Sequence, residues 1–346
     1  EQNTVESGIQ YTYVDNTNDN ESTGRLPLIP DYRSNQISAF SVFKRKLNDV
    51  WQVDVGARFV LRDLEALTIT DTIPRTIARK NHTFFNYNIA TSLQYTFLNQ
   101  KLIVDLGFAQ RQPEVNELYS SGLHQGLASI EYGNPDLVAE NSLKVVAALE
   151  GTLKSKTQYQ ILGYYQYIND YIFLEPTGEF ELTISGSFPV FVYNQTNAQI
   201  FGVDALLSHY FSKQWQVVAQ ASYLKGDDLK EDIPLIYMPP NNAKLTLNYF
   251  FEDGKRSTNT KLGIRARFVA EQKHIQEDQD FLPPPPSYFL LGFDGSTQFQ
   301  LRKNSLIVGL SIDNLLNTTY RDYLNRLRYF ADDLGINVQL RLSYQF

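Results

Sequence analysis

Polar and apolar residues alternate along this chain with a period of two, most clearly in its last ten residues. The apolar set of that segment is Val338, Leu340, Leu342, Tyr344 and Phe346. Successive side chains of a β-strand point to opposite faces of a sheet, so one face of this strand is apolar and the other polar. The same alternation runs through 51–61, 261–268 and 306–313. The pattern predicts an all-β protein with antiparallel strands.

Strand length and the charges on the polar face favour a transmembrane β-barrel over a soluble β-sandwich, which also alternates. The predicted strands run for ~10 residues or more, as a tilted membrane-crossing strand requires, whereas soluble sheets favour about 5–6. Arg58, Arg265 and Arg267 lie in mid-strand on the polar face. Such charges suit a water-filled lumen.

The connections between predicted strands alternate between two sizes, as in outer-membrane barrels with short periplasmic turns and longer extracellular loops. Short connections lie near 47–49, 98–100, 154–156, 212–214, 253–257 and 303–304. Long polar connections lie near 15–35, 64–82, 113–137, 175–187, 226–236, 271–287 and 321–335. We count about fourteen strands, so both chain ends are expected on the periplasmic side.

Large aromatic residues recur at the level of the short turns. Trp51 and Trp215 each follow a short turn and belong to the apolar set of their strand, and Phe97 and Phe211 lie at the same level. Aromatic rings with a polar edge favour the membrane–water boundary, so these residues indicate an aromatic girdle. Ordinary core tryptophans are the alternative interpretation.

Composition excludes several classes of function. The 346 residues contain no cysteine, which rules out disulfides, thiolate metal sites and a cysteine nucleophile. The formal net charge of −7 and the lack of a basic stripe argue against a nucleic-acid partner. No sequence feature indicates a resident cofactor. No segment approaches the ~18 consecutive apolar residues of a membrane-spanning helix.

Several motifs resemble those of TonB-dependent receptors. The most specific is Arg111-Gln-Pro-Glu-Val-Asn-Glu-Leu-Tyr-Ser120, followed by Gly122-Leu-His124, Glu131-Tyr-Gly-Asn-Pro-Asp-Leu137 and Glu140-Asn-Ser142. Ile312-Asp-Asn-Leu-Leu-Asn-Thr-Thr-Tyr320 resembles the penultimate strand of that family, and Met238-Pro-Pro-Asn241 is also similar. Phe346 matches the terminal aromatic residue that the barrel-assembly machinery reads.

The resemblance implies a 22-stranded barrel in a bacterial outer membrane, with an N-terminal plug inside it. Residues 1–346 would then be the C-terminal part of one barrel domain, and we expect the plug and first strands on a missing segment. A self-closed fourteen-strand barrel is the competing possibility. The expected function is import of a scarce solute, with a metal or metal chelate (iron–siderophore or zinc) favoured. The expected partners are the missing strands and plug, the TonB complex, the barrel-assembly machinery, the lipid bilayer and the solute.

Five residues are candidates for contact with the solute. His124 resembles a position at which outer-membrane zinc receptors can hold metal, and imidazole suits zinc and other late transition metals. Arg111, Tyr119, Tyr132 and Arg265 are candidate ligand contacts, because Arg and Tyr in a lumen or outer loop can bind anionic chelates. Lumen solvation or girdle structure is the alternative role for these four. The run 271–280 gathers His274 with four carboxylates, and we interpret it as a solvated loop tip.

Three other functions remain open at this stage. The first is a passive pore or surface-binding barrel without energy coupling. The second is a soluble secreted β-sandwich with a binding role. The third is a barrel hydrolase, although no Ser–His–acid set, nucleophile elbow, HExxH, P-loop or Rossmann glycine pattern is present. We therefore expect a protein that is not an enzyme.

Overall fold

A computed structural model describes residues 3–18, 27–69, 77–301 and 304–346. Within them the chain forms one sheet, made mostly of long antiparallel strands. The strands are β1 (Asn3–Asn16), β2 (Asp31–Lys46), β3 (Trp51–Ile69), β4 (Ile77–Phe97), β5 (Gln100–Arg111), β6 (Ser121–His124), β7 (Ser129–Tyr132), β8 (Glu140–Leu153), β9 (Thr157–Thr183), β10 (Gly186–Tyr210), β11 (Trp215–Asp228), β12 (Ile233–Pro234), β13 (Asn242–Phe250), β14 (Ser257–Val269), β15 (Tyr288–Leu301), β16 (Asn304–Asp313) and β17 (Asn337–Gln345).

Three of these strands, β6, β7 and β12, have at most four residues and lie within connections, which leaves the fourteen long strands that the alternation predicted. Each long strand pairs antiparallel with the next long strand, so β5 pairs with β8 and β11 with β13. The five-residue helix α1 (Val115–Tyr119) and the 3-10 helix η1 (Arg326–Tyr329) also lie in connections. No helix among the described residues is long and apolar enough to cross a membrane.

The two outermost strands of the sheet each have a single partner. In the described residues β1 pairs only with β2, and β17 only with β16. Each therefore presents one row of backbone N–H and C=O groups without a ladder partner.

The predicted turns agree with the structure, whereas one predicted long loop does not. The chain turns sharply between β2 and β3, β4 and β5, β8 and β9, β10 and β11, and β13 and β14. The segment 175–187 is a continuation of the β9–β10 hairpin, paired up to Thr183↔Gly186, so the predicted loop there is wrong. β3 and β4 likewise extend into 64–82 and pair up to Ile69↔Ile77. Parts of the predicted connections at 15–35, 64–82 and 303–304 lie outside the described residues.

Aromatic rings collect at two levels along the strands. Near the short turns Trp51 stacks on Tyr95 with ring centroids 4.5 Å apart, and Trp215 contacts Tyr249 at 4.8 Å. A second level includes Phe59 with Phe85 and Phe201 with Tyr223. Trp51 to Phe59, and likewise Trp215 to Tyr223, covers roughly 27 Å along a strand at ~3.4 Å per residue. With a tilt of roughly 40° this gives a band of about 20 Å, close to the ~25 Å apolar band of outer-membrane barrels.

The principal buried cluster lies at the end of the sheet that carries the long connections, which we call the loop end. It joins Leu64 and Ala66 of β3 to Val115, Leu118 and Tyr119 of α1. Leu137 and Ile172 complete it. The loop between β5 and β8 (residues 112–139) is thus packed onto the sheet, where it positions three of the five candidate residues.

Candidate functional site

Helix α1 is fixed at its start by a reciprocal cap. The Glu114 side chain accepts from the backbone of Glu117, and the Glu117 carboxylate accepts from Glu114 N–H at 2.8 Å. This capping box satisfies backbone donors that a helix of this length would otherwise leave free. Behind the helix, Gly133 N–H donates to Ser120 C=O at 2.7 Å, so the Asn134-Pro-Asp-Leu137 segment is bound to the end of α1.

Arg111 joins α1 to the sheet. Its guanidinium donates to Glu117 on α1 at 2.9 Å and to Glu140 on β8 at 2.7 Å. The second oxygen of Glu140 accepts from Ile172 N–H at 2.6 Å, which adds β9 to the same network. Both carboxylates are nearly buried, with side chains 13% and 11% exposed. Arg111 is therefore committed to structural contacts, although 43% of its side chain is exposed.

Tyr119 points into the buried cluster and not toward the loop surface. Its hydroxyl lies 2.5 Å from His82 Nε2 of β4, and the two rings are 5.8 Å apart. Burial raises the pKa of Tyr119 above its usual value, so the phenol stays neutral at physiological pH. This position suits a contact that locks α1 against β4.

His124 and Glu131 face each other across the hairpin of β6 and β7. His124 Nδ1 lies 2.9 Å from Glu131 Oε1, and only 3% of the glutamate side chain is exposed. No hydrogen bond engages His124 Nε2 within the described ranges, and 38% of the histidine side chain is exposed. A carboxylate on one ring nitrogen that leaves the other open is the usual arrangement of a metal-binding histidine.

The carboxylate of Glu131 also serves a second loop. Arg326 of η1 lies 3.0 Å from the same Oε1 atom, and its guanidinium stacks over the Phe191 ring at 5.3 Å. Strand β7 pairs in parallel with β10 over Ile130↔Val190, which seats the hairpin on the wall of the barrel. His124 is therefore held by three separate parts of the chain.

The two remaining candidates lie apart from this hairpin contact. The Tyr132 hydroxyl donates to Glu181 of β9 at 2.7 Å. Arg265 of β14 pairs with Asp294 of β15 at 2.8 Å and with Asp313 of β16. The structure thus places Tyr119, His124 and Tyr132 on one loop, with Arg111 bound to that loop from the end of β5, but leaves Arg265 on a different wall.

Arg265 lines a polar cavity of about 630 Å³ on the inner face of the sheet. Lys244, Arg267 and Tyr320 line the same cavity. Arg267 is 4.0 Å from Asp322, and the described residues offer Lys244 no ion-pair partner. The cavity can accept an anionic group.

A second cluster, which the sequence did not indicate, joins three loops around Asp280. Arg328 of η1 pairs with Asp280, and only 2% of the arginine side chain is exposed. Tyr329 and Tyr237 hydroxyls donate to the same carboxylate at 2.5 and 3.2 Å. Burial raises the pKa of Tyr237 and of Tyr329 well above their usual range. We call Asp280, Arg328, Tyr329 and Tyr237 the loop clamp.

The loop clamp corrects part of the interpretation of 271–280. Glu271, Glu277 and Asp278 are exposed, as a solvated loop tip requires. Asp280 is not, because 90% of its side chain is buried under Arg328. No local pattern in the sequence indicates this burial, because Asp280 and Arg328 are 48 residues apart. Among the described residues no group of three or more His, Cys, Asp and Glu side chains is placed to hold a metal ion.

Comparison with known proteins decides the family. The family model described as TonB dependent receptor-like, beta-barrel matches residues 2–315, which is most of the chain. The chain belongs to the TonB-dependent receptor family. The resemblance of the motifs is therefore confirmed, as is the fold of an antiparallel outer-membrane barrel. TonB-dependent receptors are outer-membrane transport proteins of Gram-negative bacteria.

A curated relative and several solved structures match different lengths of this TonB-dependent receptor chain. The TonB-dependent heme receptor A of Haemophilus ducreyi is 36% identical over 115 residues, which is 32% of this chain and 14% of that protein. The copper transporter OprC superposes with a TM-score of 0.78 at 17% identity, and the match covers 100% of this chain and 55% of OprC. The FrpB iron transporter of Neisseria meningitidis superposes with a TM-score of 0.68 at 14% identity, and the match covers 100% of this chain and 53% of FrpB.

The siderophore receptor PiuA of Acinetobacter baumannii gives a TM-score of 0.61 at 14% identity, with 92% of this chain and 44% of PiuA covered. At such identities these structures establish the fold alone. The chain spans about half the length of the solved relatives it matches.

Proposed function

We propose that this chain is the larger part of the barrel of an outer-membrane receptor that imports a metal chelate. The relatives are named for heme, copper, iron and siderophores, which are metals, a metal complex and metal chelators. Family membership supports a transport role rather than an enzymatic one. It also supports the TonB complex as the partner that supplies energy.

The choice of cargo rests on the orientation of the His124 ring. Its Nε2 is open, and Glu131 on Nδ1 fixes the orientation of the ring. A bare zinc ion takes four ligands in a structural site and three protein ligands in a catalytic one. A metal inside a macrocycle or chelator needs only an axial ligand, which a single imidazole can supply. One open imidazole therefore fits a chelated metal with a vacant position.

The other candidate residues have supporting roles in this proposal. Arg111 and Tyr119 hold α1, and with it the hairpin that carries His124. Tyr132 anchors the same hairpin to β9. Arg265 is already paired with Asp294 and Asp313, so it supports the lumen wall beside Lys244, the cation that an anionic chelate would meet there after leaving His124.

We further propose that other strands of the same protein close the sheet and that a plug fills it. The unpartnered edges of β1 and β17 support this, because hydrocarbon does not tolerate open sheet edges. The barrel-assembly machinery, the lipid bilayer and an outer-membrane location follow from the same proposal.

The test uses the full-length receptor, purified in detergent and expressed in cells that lack their own receptor. Hemin, ferric siderophore and zinc are titrated separately, and growth is measured with each as the sole metal source. We expect one chelate to bind and support growth, and His124→Ala to weaken its binding at least tenfold. His209→Ala is the matched control, because His209 bonds Thr157 at the short-turn end. Unchanged binding in His124→Ala would overturn the assignment of His124, and growth without any TonB would overturn energy coupling.

A further inference from the structure

Two cavities on the outer surface of the barrel lie one above the other, on the strands from β8 to β15. The first is an apolar groove of about 780 Å³. The second is a polar pocket of about 460 Å³ nearer the loop end. Phe268 lines both, so the two cavities adjoin at this residue.

Small side chains on adjacent strands form the groove. Ala205 pairs with Ala221, Ala221 with Ala243, and Ala243 with Phe268. These four residues belong to the lipid-facing set of their strands, so the three alanines make a depression three strands wide. Ile161 and Phe289 bound it at its two ends. We call this depression the alanine groove.

The depth of each cavity follows from the aromatic level at Tyr223. Ala219 and Ala221 lie on the short-turn side of Tyr223, within the apolar band, and both line the alanine groove. Lys225 lies one step beyond Tyr223 on the same face of β11 and lines the polar pocket. Since aromatic girdles mark the membrane–water boundary, the groove is at hydrocarbon depth and the pocket at headgroup depth.

The polar pocket presents two lysines beside polar and acidic side chains. Lys225, Lys273, Asn241, Ser287 and Glu271 line it. Asp227 is occupied, because it lies 3.3 Å from Lys225 and 2.6 Å from His274 Nε2. Lys273 has no ion-pair partner among the described residues. We call this cavity the head pocket.

We propose that the alanine groove and the head pocket together bind one phosphorylated lipid of the outer leaflet. An acyl chain fills the groove, and the phosphate accepts hydrogen bonds from Lys225 and Lys273. The depth of the head pocket matches such a lipid, and its phosphate would pair with Lys273, which an apolar partner helix would leave without a counter-charge. This site lies on the outside of the barrel and is independent of the cargo.

The test is native mass spectrometry of the delipidated full-length receptor titrated with dimyristoyl phosphatidylglycerol. Dimyristoylglycerol, which lacks the phosphate, and inorganic phosphate are titrated in parallel. We expect one high-affinity adduct with the phospholipid, weaker binding of dimyristoylglycerol, and none of phosphate alone. The double variant Lys225→Gln with Lys273→Gln should bind the phospholipid about tenfold more weakly and bind dimyristoylglycerol with unchanged affinity. Ala221→Phe should lower the affinity for both lipids.

Matched controls lie on the far side of the barrel. Ala57→Phe adds a ring to a lipid-facing alanine outside the groove, and Lys80→Gln removes an exposed lysine outside the head pocket. Neither should alter binding. An equal loss in Ala57→Phe, or full phospholipid affinity in the double lysine variant, would overturn the proposal. Heat-modifiable mobility on electrophoresis checks that each variant is folded.

Discussion

Glu131 and Arg326 lie 3.0 Å apart although they belong to different loops, and the glutamate oxygen that they share is also the partner of His124. The ring that we assign to the cargo is thus connected through a single carboxylate to η1. Any change in the charge of the His124 ring will therefore alter the interaction of Glu131 with Arg326, and with it the loop that carries η1.

Replacing Glu131 should weaken binding of the cargo without removing the metal ligand itself. In Glu131→Gln the His124 ring loses its anionic partner, and loss of such outer partners typically costs 10–100-fold in metal affinity. We expect about a tenfold rise in Kd for the chelate, measured by absorbance titration. Glu150→Gln is the control, because Glu150 pairs with Lys101 at 2.9 Å at the short-turn end, and it should change Kd less than twofold. Equal effects from the two variants would contradict the role of Glu131.

Breaking the loop clamp should loosen the outer loops while the barrel stays intact. Arg328→Met leaves the Asp280 carboxylate buried without its cation, and removal of one member of such a pair costs about 3–5 kcal/mol. We expect faster hydrogen exchange at 275–283 and 323–330 and unchanged exchange in β14 to β16.

Arg33→Gln is the matched control for this experiment. It removes an arginine that pairs with Asp15 at 3.3 Å on the exposed surface, and exposed pairs contribute about 0–1 kcal/mol. If Arg328→Met leaves loop exchange at the level of this control, the clamp does not hold the loops.

High pH should open the same cluster. Tyr237 and Tyr329 have pKa values raised by burial above the unfolded value near 10, so both are protonated when folded. Their contribution to stability is complete below pH ~10 and is lost as the pH rises further, because the unfolded state releases the protons first. We expect loop exchange to accelerate above pH ~10. In Tyr237→Phe with Tyr329→Phe this acceleration should shrink, and an unchanged profile would exclude these phenols as its source.

Gly133 should tolerate no side chain. A Cβ there would lie 2.4 Å from Tyr119 N and 2.5 Å from Leu118 C, and backbone atoms cannot turn aside as a flexible side chain can. Gly133→Ala should therefore displace α1 and lower chelate affinity several-fold through the hairpin of β6 and β7. A Cβ at Gly163 would meet nothing within 4 Å, so Gly163→Ala should bind normally. Normal binding by both variants would mean that α1 does not position His124.

The sequence predicted the long strands because their signal is local. Alternation in a segment such as 337–346 depends only on neighbouring residues, so the number of strands and the positions of the short turns could be inferred. The extension of the β9–β10 hairpin was missed because Gly178, Glu179 and Glu181 form a polar stretch that also suits a loop. Water on both faces removes the alternation that identifies a half-buried strand.

The candidate site was predicted only as a set of residues. The motif from Arg111 to Asn141 indicated the correct loop, but not that Arg111 and Tyr119 are occupied by Glu140 and His82. The loop clamp could not be predicted from the sequence, because Arg328 and Asp280 are 48 residues apart and nothing local marks them as partners.

The β9–β10 hairpin is long enough to give the protein an exposed extracellular surface that its transport role does not require. Strand β10 has 25 residues and β11 has 14, so the hairpin reaches roughly 35 Å farther at ~3.4 Å per residue. In the proposed orientation its tip, which carries exposed Phe180, Leu182 and Ile184, is accessible to an antibody or a phage tail from outside the cell. Because Glu181 of the same tip accepts a hydrogen bond from Tyr132, a binder directed at this tip would lie beside the hairpin that carries His124.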